Sequence, residues 1–571
     1  MSSEGAWQVD TSEEVSEDAL RLMFQRFFIF VTFVAAVLSV PCFGANQPSI
    51  IFVTLEGVRA DRVGFLGGKT STPNLEALAK QSIIFERAYA QAPLTVVSHA
   101  TLLSGTYPQT HGASELGDAL SDTVPYLPAI LKAKGYRTAA FVSSQRLDPR
   151  SGYAQGFSRG FDTYDAGLRS ATAGATCHAE QTIAHASKWL AGSAHRPVFV
   201  WIHLCSSNTN SPASYDRGIT TLDSALGNLV AALRTAKLFD DAVLVVASDH
   251  GEGLGAHGED SHGIFLYDET VHVPLLVKLA QNQMAAKHVK GRVRLLDVAP
   301  TVVEAAGIPV PSQMQGQSLL RIAKTNPDAD QAIYSRSDFS QQAFGWSPLA
   351  SWRAGKYLYI RAPKPELYDL TSDPGATRNI AQSSKATLDT IAAQLDNFDS
   401  HFGKGGKSAE AGLTSSEVQK LASLGYVGLQ KSSGPASTAQ GTDPKDKIAI
   451  ANKTLNAMLA LDAGKIDAAI SALQQVVSAE PNTYLAQYGL GAALVKQQKY
   501  SDAIKYLHKA IEIQPNSPWA HYLMGLCLSK TKDFKTAAVH LEIAAARMPQ
   551  FAAAHALLTQ AREQLGGKTP N

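Results

Sequence analysis

From residue 49 onward, short apolar runs alternate with longer stretches in which polar and apolar positions recur at helical spacing. SIIFVTL (49–55), RTAAFVS (137–143), PVFVWIHL (197–204), AVLVVAS (242–248) and VPLLVKL (273–279) are short and β-rich. Stretches such as PNLEALAKQ and TLDSALGNLVAALRTAKL, which lie between them, read as helices. This alternation predicts an α/β domain, a mostly parallel sheet sandwiched by helices on both faces. In such sheets the chemistry sits at the carboxyl ends of the strands, which directs attention to the residues after 55, 204 and 248.

The pattern changes near residue 330. WRAGKYLYIRAP and ELYDLTSDPGATRNIA predict a small antiparallel sheet with a turn. GKGGKSAEAG and KSSGPASTAQGTDPKDK, rich in Gly, Ser, Lys and Pro, read as linkers. Beyond them Pro481, Pro515 and Pro549 stand 34 residues apart. At the same offsets before each proline come Ala469, Ala503 and Ala537, and before those Ala457, Gly491 and Gly525. That period resembles the tetratricopeptide repeat, in which small residues let paired helices approach and proline ends the second helix. Three repeats and a final helix imply an all-α solenoid, and such arrays bind a protein or peptide partner or act as spacers.

Composition narrows the classes. Of 571 residues 45% are apolar and 18% charged, as in an ordered globular chain, and the net charge of +1 leaves no basic patch for nucleic acid. The four cysteines, Cys42, Cys177, Cys205 and Cys527, form no close pair, so neither a zinc knuckle nor a disulfide scaffold is indicated. From Met23 a short basic start leads into an apolar run, Phe27–Val40, and then small residues. That layout predicts a secretory signal peptide or a single transmembrane anchor in the inner membrane, and hence an exported, periplasmic or membrane-anchored protein. The expected division is an N-terminal extension with signal or anchor (1–45), a catalytic domain (46–400), a linker (401–447) and a repeat domain (448–566).

Three stretches hold candidate chemistry. TLEGVRADR puts Glu56 directly after the first strand, and APLTVVSHATLLSGTYP (92–108) sets Thr95 and His99 where a helix begins. Thr95 is then either an N-cap or a nucleophile placed at the helix's positive end. The third, SDHGEGLGAHGEDSHGIFLYDE, contains Asp249, His250, His257 and His262. Asp249 and His250 form a carboxylate–imidazole pair suited to zinc and related ions.

The ordered motifs TPNLEALAKQSIIFERAYAQAPLT..SHATLLSGTYP..HG, KGYRTAAFV, SDHGEGLGAHGE..HGIFLYDE..HVPLLVK and LLDVAPTVVEAAGIPVP..MQGQSLL resemble the sulfatase family, from about Ser49 to Ala381. That family lies within the alkaline phosphatase superfamily of metal-dependent ester hydrolases. The resemblance implies an alkaline-phosphatase-like fold with Thr95 in the nucleophile's place. It makes Glu56, Asp249 and His250 ligands of one divalent ion, calcium, zinc or manganese. His262 would serve the leaving oxygen with His257 close by, and His99 stands where sulfatases carry an arginine. The run TVVSH lacks the cysteine, proline and arginine of the C/S-x-P-x-R sequence that matures to formylglycine. A threonine nucleophile acting on an anionic phosphate or sulfate ester is therefore expected. CSSNTN replaces an Asp-Pro-His and Glu115-Leu116 an Asp-Asn pair, which removes the supports of a second metal. The alternative is a degenerate domain without catalysis that binds an anionic ligand, or a protein through its repeats.

Overall fold

The computed structural model describes residues 47–167, 177–192, 196–206, 211–402, 414–424, 426 and 441–566. The chain divides into Met1–Gln47 and Pro48–Asn571, and every element named below lies in the second unit. Its centre is an eight-stranded sheet built from β1 (Ile50–Leu55), β2 (Ile83–Tyr89), β3 (Arg137–Val142), β4 (Thr163–Asp165), β5 (Val198–Leu204), β6 (Val243–Ser248), β7 (His272–Lys278) and β8 (Lys287–Arg294). The spatial order is β4-β3-β5-β1-β6-β7-β2-β8.

Every residue of β1, β5 and β6 is buried, as their unbroken apolar sequences require of strands covered on both faces. Side chains alternate between two cores. Ile51 and Val53 meet α4 (Pro212–Thr235) through Leu222, Leu226 and Leu229. Ile50 and Phe52 belong to the opposite core with Val96, Ala100 and Leu103 of α2 (Thr95–Ser104), while α1 (Pro73–Ala79) and α3 (Ala179–Ala191) cover the first face. Parallel pairing sets Leu55 beside Leu204 on one side and Ser248 on the other, so the carboxyl ends of β5, β1 and β6 finish level.

The sheet is mixed at one side. VPLLVKL, expected among the parallel strands, is β7 and runs antiparallel to both β6 and β2. β2 and β8 escaped the apolar pattern because IIFERAY and KHVKGRVR carry charges on partly exposed positions. The predicted small antiparallel sheet is present, in the order β12 (Glu366–Asp369), β11 (Tyr357–Arg361), β10 (Leu349–Ala354), β9 (Ile333–Ser337). After β8 comes α5 (Val298–Ala305), and α6 (Lys385–Phe402) shares a core with the small sheet through Leu395 and Phe398.

The solenoid is also as expected: α7 (Ile448–Asp462), α8 (Ile466–Ala479), α9 (Tyr484–Lys496), α10 (Tyr500–Ile513), α11 (Pro518–Lys530), α12 (Phe534–Arg547) and α13 (Ala552–Gln564). A Cβ on Gly491 would lie 2.7 Å from the Leu507 side chain and one on Gly525 2.5 Å from Leu541, which is why the recurring position is small.

Two expectations need correction. Among the described residues no helix is long and apolar enough to cross a membrane, so none of them supports the expected transmembrane anchor. The Phe27–Val40 run that suggested signal peptide, export and periplasm lies outside the described residues, so the structure gives that placement no support. Cys177 and Cys205, 28 residues apart, form a disulfide that ties the loop before α3 to the end of β5, while Cys527 is free and buried.

Candidate active site

The level ends of β5, β1 and β6 deliver His203, Glu56 and Asp249 to one place. The turn after β1 is fixed from several sides. The Glu56 N–H donates to Leu204 O (2.9 Å), the Gly57 N–H to Asp249 Oδ1 (2.9 Å) and the Val58 N–H to Ser248 Oγ (2.8 Å). Gly57 has φ +71°, a left-handed backbone that disfavours a side chain at this position. Asp249 Oδ1 also accepts the His250 N–H at 2.8 Å, so the orientation of the carboxylate is set and its other oxygen is left over.

Thr95 is the first residue of α2, and its cap position is held by Leu94 without a side-chain bond. The hydroxyl is therefore not capping the helix. Thr95 Oγ1 lies 3.2 Å from His250 Nε2 and 3.4 Å from Glu56 Oε1. His250 Nδ1 is 2.8 Å from Gly251 O, which fixes the proton on Nδ1 and leaves Nε2 to accept from Thr95. Burial pushes the His250 imidazolium down to about 3, with His262 adding repulsion, so the ring is neutral. The Val96 N–H at the helix start donates to Glu115 Oε2 (2.9 Å), and Glu115 faces Arg146 at 3.4 Å.

The ring of His262 lies 4.2 Å from that of His250, and its Nδ1 is 3.1 Å from Glu252 Oε2. Burial opposes charge on His262, but Glu252, helped by Glu56 and Glu259, outweighs it and raises the imidazolium to about 9. A cationic imidazole thus lies beside a neutral one, the first with a proton to give and the second with a nitrogen lone pair turned to the Thr95 hydroxyl.

His99 lies behind this surface. Its Nδ1 is 2.7 Å from Thr95 O and its Nε2 2.9 Å from Thr54 Oγ1, and it is fully buried with Asp249 Oδ2 at 3.6 Å. It braces the first turn of α2 against β1 where the resemblance placed a cationic group. His257 stacks on Tyr267 with ring centroids 3.6 Å apart and faces Glu269 at 3.7 Å, outside the bonds that join Thr95, Glu56 and His250.

Sequence reasoning passed over His203 and Arg146. His203 is the last residue but one of the otherwise apolar β5 and so reads as core, yet neither of its nitrogens has a hydrogen-bond partner although it is fully buried. Glu56 Oε2 and Asp249 Oδ2 are likewise buried and unpartnered. Unpaired buried carboxylates are costly; burial, then the neighbouring Asp249, pushes the Glu56 carboxyl up to about 7, and burial raises Asp249 as well. A divalent cation removes that cost, and the donor set of carboxylates and imidazoles suits one. The atoms that His99, His203 and Asp249 offer lie within 4.8 Å of one another, as do those of Glu56, Cys177 and Cys205. With the two sulfurs joined in a disulfide the second group lacks thiolates, and in the first both His99 nitrogens are already bonded, so His203 and Asp249, with Glu56 Oε2 3.4 Å from His203 Nε2, make the better cation site.

An open sheet with acidic and imidazole groups converging on one helix-start hydroxyl is an alkaline-phosphatase-superfamily fold with a candidate metal site. The chain carries a sulfatase-family domain followed by tetratricopeptide repeats: the sulfatase model matches residues 48–308 and an N-sulphoglucosamine sulphohydrolase C-terminal model residues 258–399. Tetratricopeptide repeat models match 454–518 and 494–561. Arylsulfatase K of Rattus norvegicus is 30% identical over 36% of this chain and 40% of its own length. The matched region thus spans about two fifths of that relative. The ulvan-active sulfatase of Formosa agariphila is 25% identical over 62% of this chain and 80% of its own. In structure, the phosphonate monoester hydrolase of Agrobacterium radiobacter overlays with a TM-score of 0.54 at 19% identity, over 65% of this chain and 99% of that one.

Proposed function

We propose that the chain is a metal-dependent hydrolase of sulfate or phosphate esters whose nucleophile is Thr95 itself. The observation that carries this reading is the Thr95 hydroxyl at the start of α2, 3.2 Å from an imidazole nitrogen kept free to accept its proton. Glu56, His203 and Asp249, with their unpartnered atoms, would hold the divalent ion. A cation there supplies a lowered hydroxyl pKa and binding for an anionic ester oxygen.

The chain's own groups account for the rest. Thr95 passes its proton to His250 Nε2 as its oxygen bonds to phosphorus or sulfur, and the bond to the alcohol oxygen breaks. His262, charged at neutral pH, gives that departing oxygen a proton. Water then cleaves the threonine ester, with His262 now the base and His250 returning its proton to the Thr95 oxygen, and the inorganic anion is released. The positive end of the α2 dipole favours the anion throughout. The names of the relatives, sulfatases and a phosphonate monoester hydrolase, support an anionic ester as substrate.

The test is turnover of p-nitrophenyl phosphate, bis(p-nitrophenyl) phosphate and p-nitrophenyl sulfate by metal-loaded wild type and Thr95→Ala. Wild-type turnover that the substitution abolishes is expected. Equal rates in the two proteins would leave only the binding-scaffold alternative.

A further inference from the structure

The repeats do not stand apart from the catalytic domain. The first helices of the first and third repeats, α7 and α11, meet loops that flank the site. At one rim, on α7, Asn452 Nδ2 donates to Gly258 O at 2.7 Å and its Oδ1 accepts the Asp260 N–H at 3.1 Å, while Asn456 reaches Asp260 Oδ2 at 3.2 Å. Gly258 and Asp260 belong to the loop that carries His257 and His262. At the other rim, on α11, Trp519 stacks on Tyr153 with ring centroids 5.0 Å apart. A Cβ on Gly152 would fall 2.7 Å from the Trp519 ring, so the two surfaces are in close contact. Gln550 adds a bond to Ser158 at 3.1 Å. These loops lie on the Glu115–Arg146 side of the site.

Between the rims Arg146 keeps 47% of its side chain accessible, His262 27% and Glu56 21%. On the repeat side Asp462, the last residue of α7, acts electrostatically on both Arg146 and Tyr153.

We propose that the concave face of the repeat array is the outer wall of the chain's own catalytic cleft, spanning its mouth from the Gly258 loop to Tyr153, and that this wall limits the size of the alcohol portion that reaches Thr95. The occupant of the repeat groove is then the sulfatase-like domain of the same chain, in the place where a peptide partner would dock. The size limit rests on the proposed hydrolase function; the wall itself does not.

Two measurements on the full chain decide it. Hydrogen exchange in segments 145–158 and 253–262 is compared between wild type and the variants Asn452→Ala/Asn456→Ala and Tyr153→Ala. Faster exchange in both segments of the variants, with the repeat helices still protected, is expected. Wild-type segments that already exchange as free loops, or rates unmoved by either variant, overturn the wall. The second measurement takes the ester group that is turned over and compares it on p-nitrophenol and on dextran. The preference for the small ester should fall at least tenfold in Asn452→Ala/Asn456→Ala. An unchanged preference overturns the size limit, whereas absence of all turnover refutes the hydrolase reading, and with it the size limit, and leaves the wall to the exchange result.

Discussion

The Thr95 hydroxyl and His250 Nε2 lie 3.2 Å apart, and the other nitrogen of the same ring is held 2.8 Å from Gly251 O. One ring is thereby oriented by the backbone and aimed at one hydroxyl, so the pair should act as a unit. Thr95→Ala and His250→Ala are each expected to lower kcat by about 10²–10⁴-fold. Their combination should cost little more than the worse single change, because each removes the same proton transfer. Thr95→Ser should keep measurable turnover. Additive losses in the double variant would separate the two residues.

The unpartnered atoms of Glu56, His203 and Asp249 predict metal-dependent stability as well as metal binding. A cation held only by the folded chain stabilises it by about 2.7 kcal/mol at a hundredfold excess over its Kd. Zinc, manganese and calcium are titrated in turn while Tm is followed and bound metal is measured. At least one should raise Tm, and Asp249→Ala and His203→Ala should abolish that rise. A Tm indifferent to all three ions would remove the site.

Close helix approach at Gly525 predicts a local packing penalty. A Cβ there meets Leu541 at 2.5 Å, while alanine gains about 1 kcal/mol over glycine in a helix interior. Gly525→Val adds still more volume and loses helix propensity, so it should destabilise the array by about 1–3 kcal/mol. Thermal unfolding followed by circular dichroism gives the difference. Gly525→Val together with Leu541→Ala should cost less than the sum of the two single changes, since the space that collides is then vacated.

What the sequence displayed and what it hid follow from the kind of signal each residue emits. β1, β5 and β6 were legible because strands covered on both faces have no polar positions to break the run. The same property concealed His203, which sits in VFVWIHL as though it were one more core residue. Only the sideways pairing of β5 with β1 brings it to 3.4 Å from Glu56. His257 shows the opposite case, a residue in a chemically suggestive loop that the fold turns onto Tyr267. The disulfide joins cysteines 28 residues apart, a separation no local spacing rule covers. Asn452 and Trp519 look like ordinary helix surface until the repeats are set against the Gly258 and Tyr153 loops.

The repeats also hold a buried relay that predicts acid sensitivity. His521 Nε2 is 2.8 Å from Pro515 O, so that nitrogen carries the proton, and His521 Nδ1, 2.8 Å from His540 Nδ1, must accept. His540 then donates through Nδ1, and its Nε2 accepts from the Tyr426 hydroxyl at 3.4 Å. Every bond in this chain requires both rings to be neutral. Burial lowers His521 to about 4, with Arg547 opposing charge and Glu417 favouring it, and burial followed by repulsion from His521 and His508 also takes His540 well below its usual range. In the unfolded chain both titrate near 6.5. Between about pH 6.5 and 4 the unfolded state therefore binds more protons than the folded one, and stability falls as pH falls. The slope approaches about 1.4 kcal/mol per pH unit for each histidine. His521→Gln/His540→Gln removes both titrating groups. It should lower Tm at pH 7.5, where the neutral relay is lost, yet narrow or reverse that deficit by pH 5. Parallel Tm profiles for the two proteins from pH 7.5 to 5 would show that the pair is not held neutral.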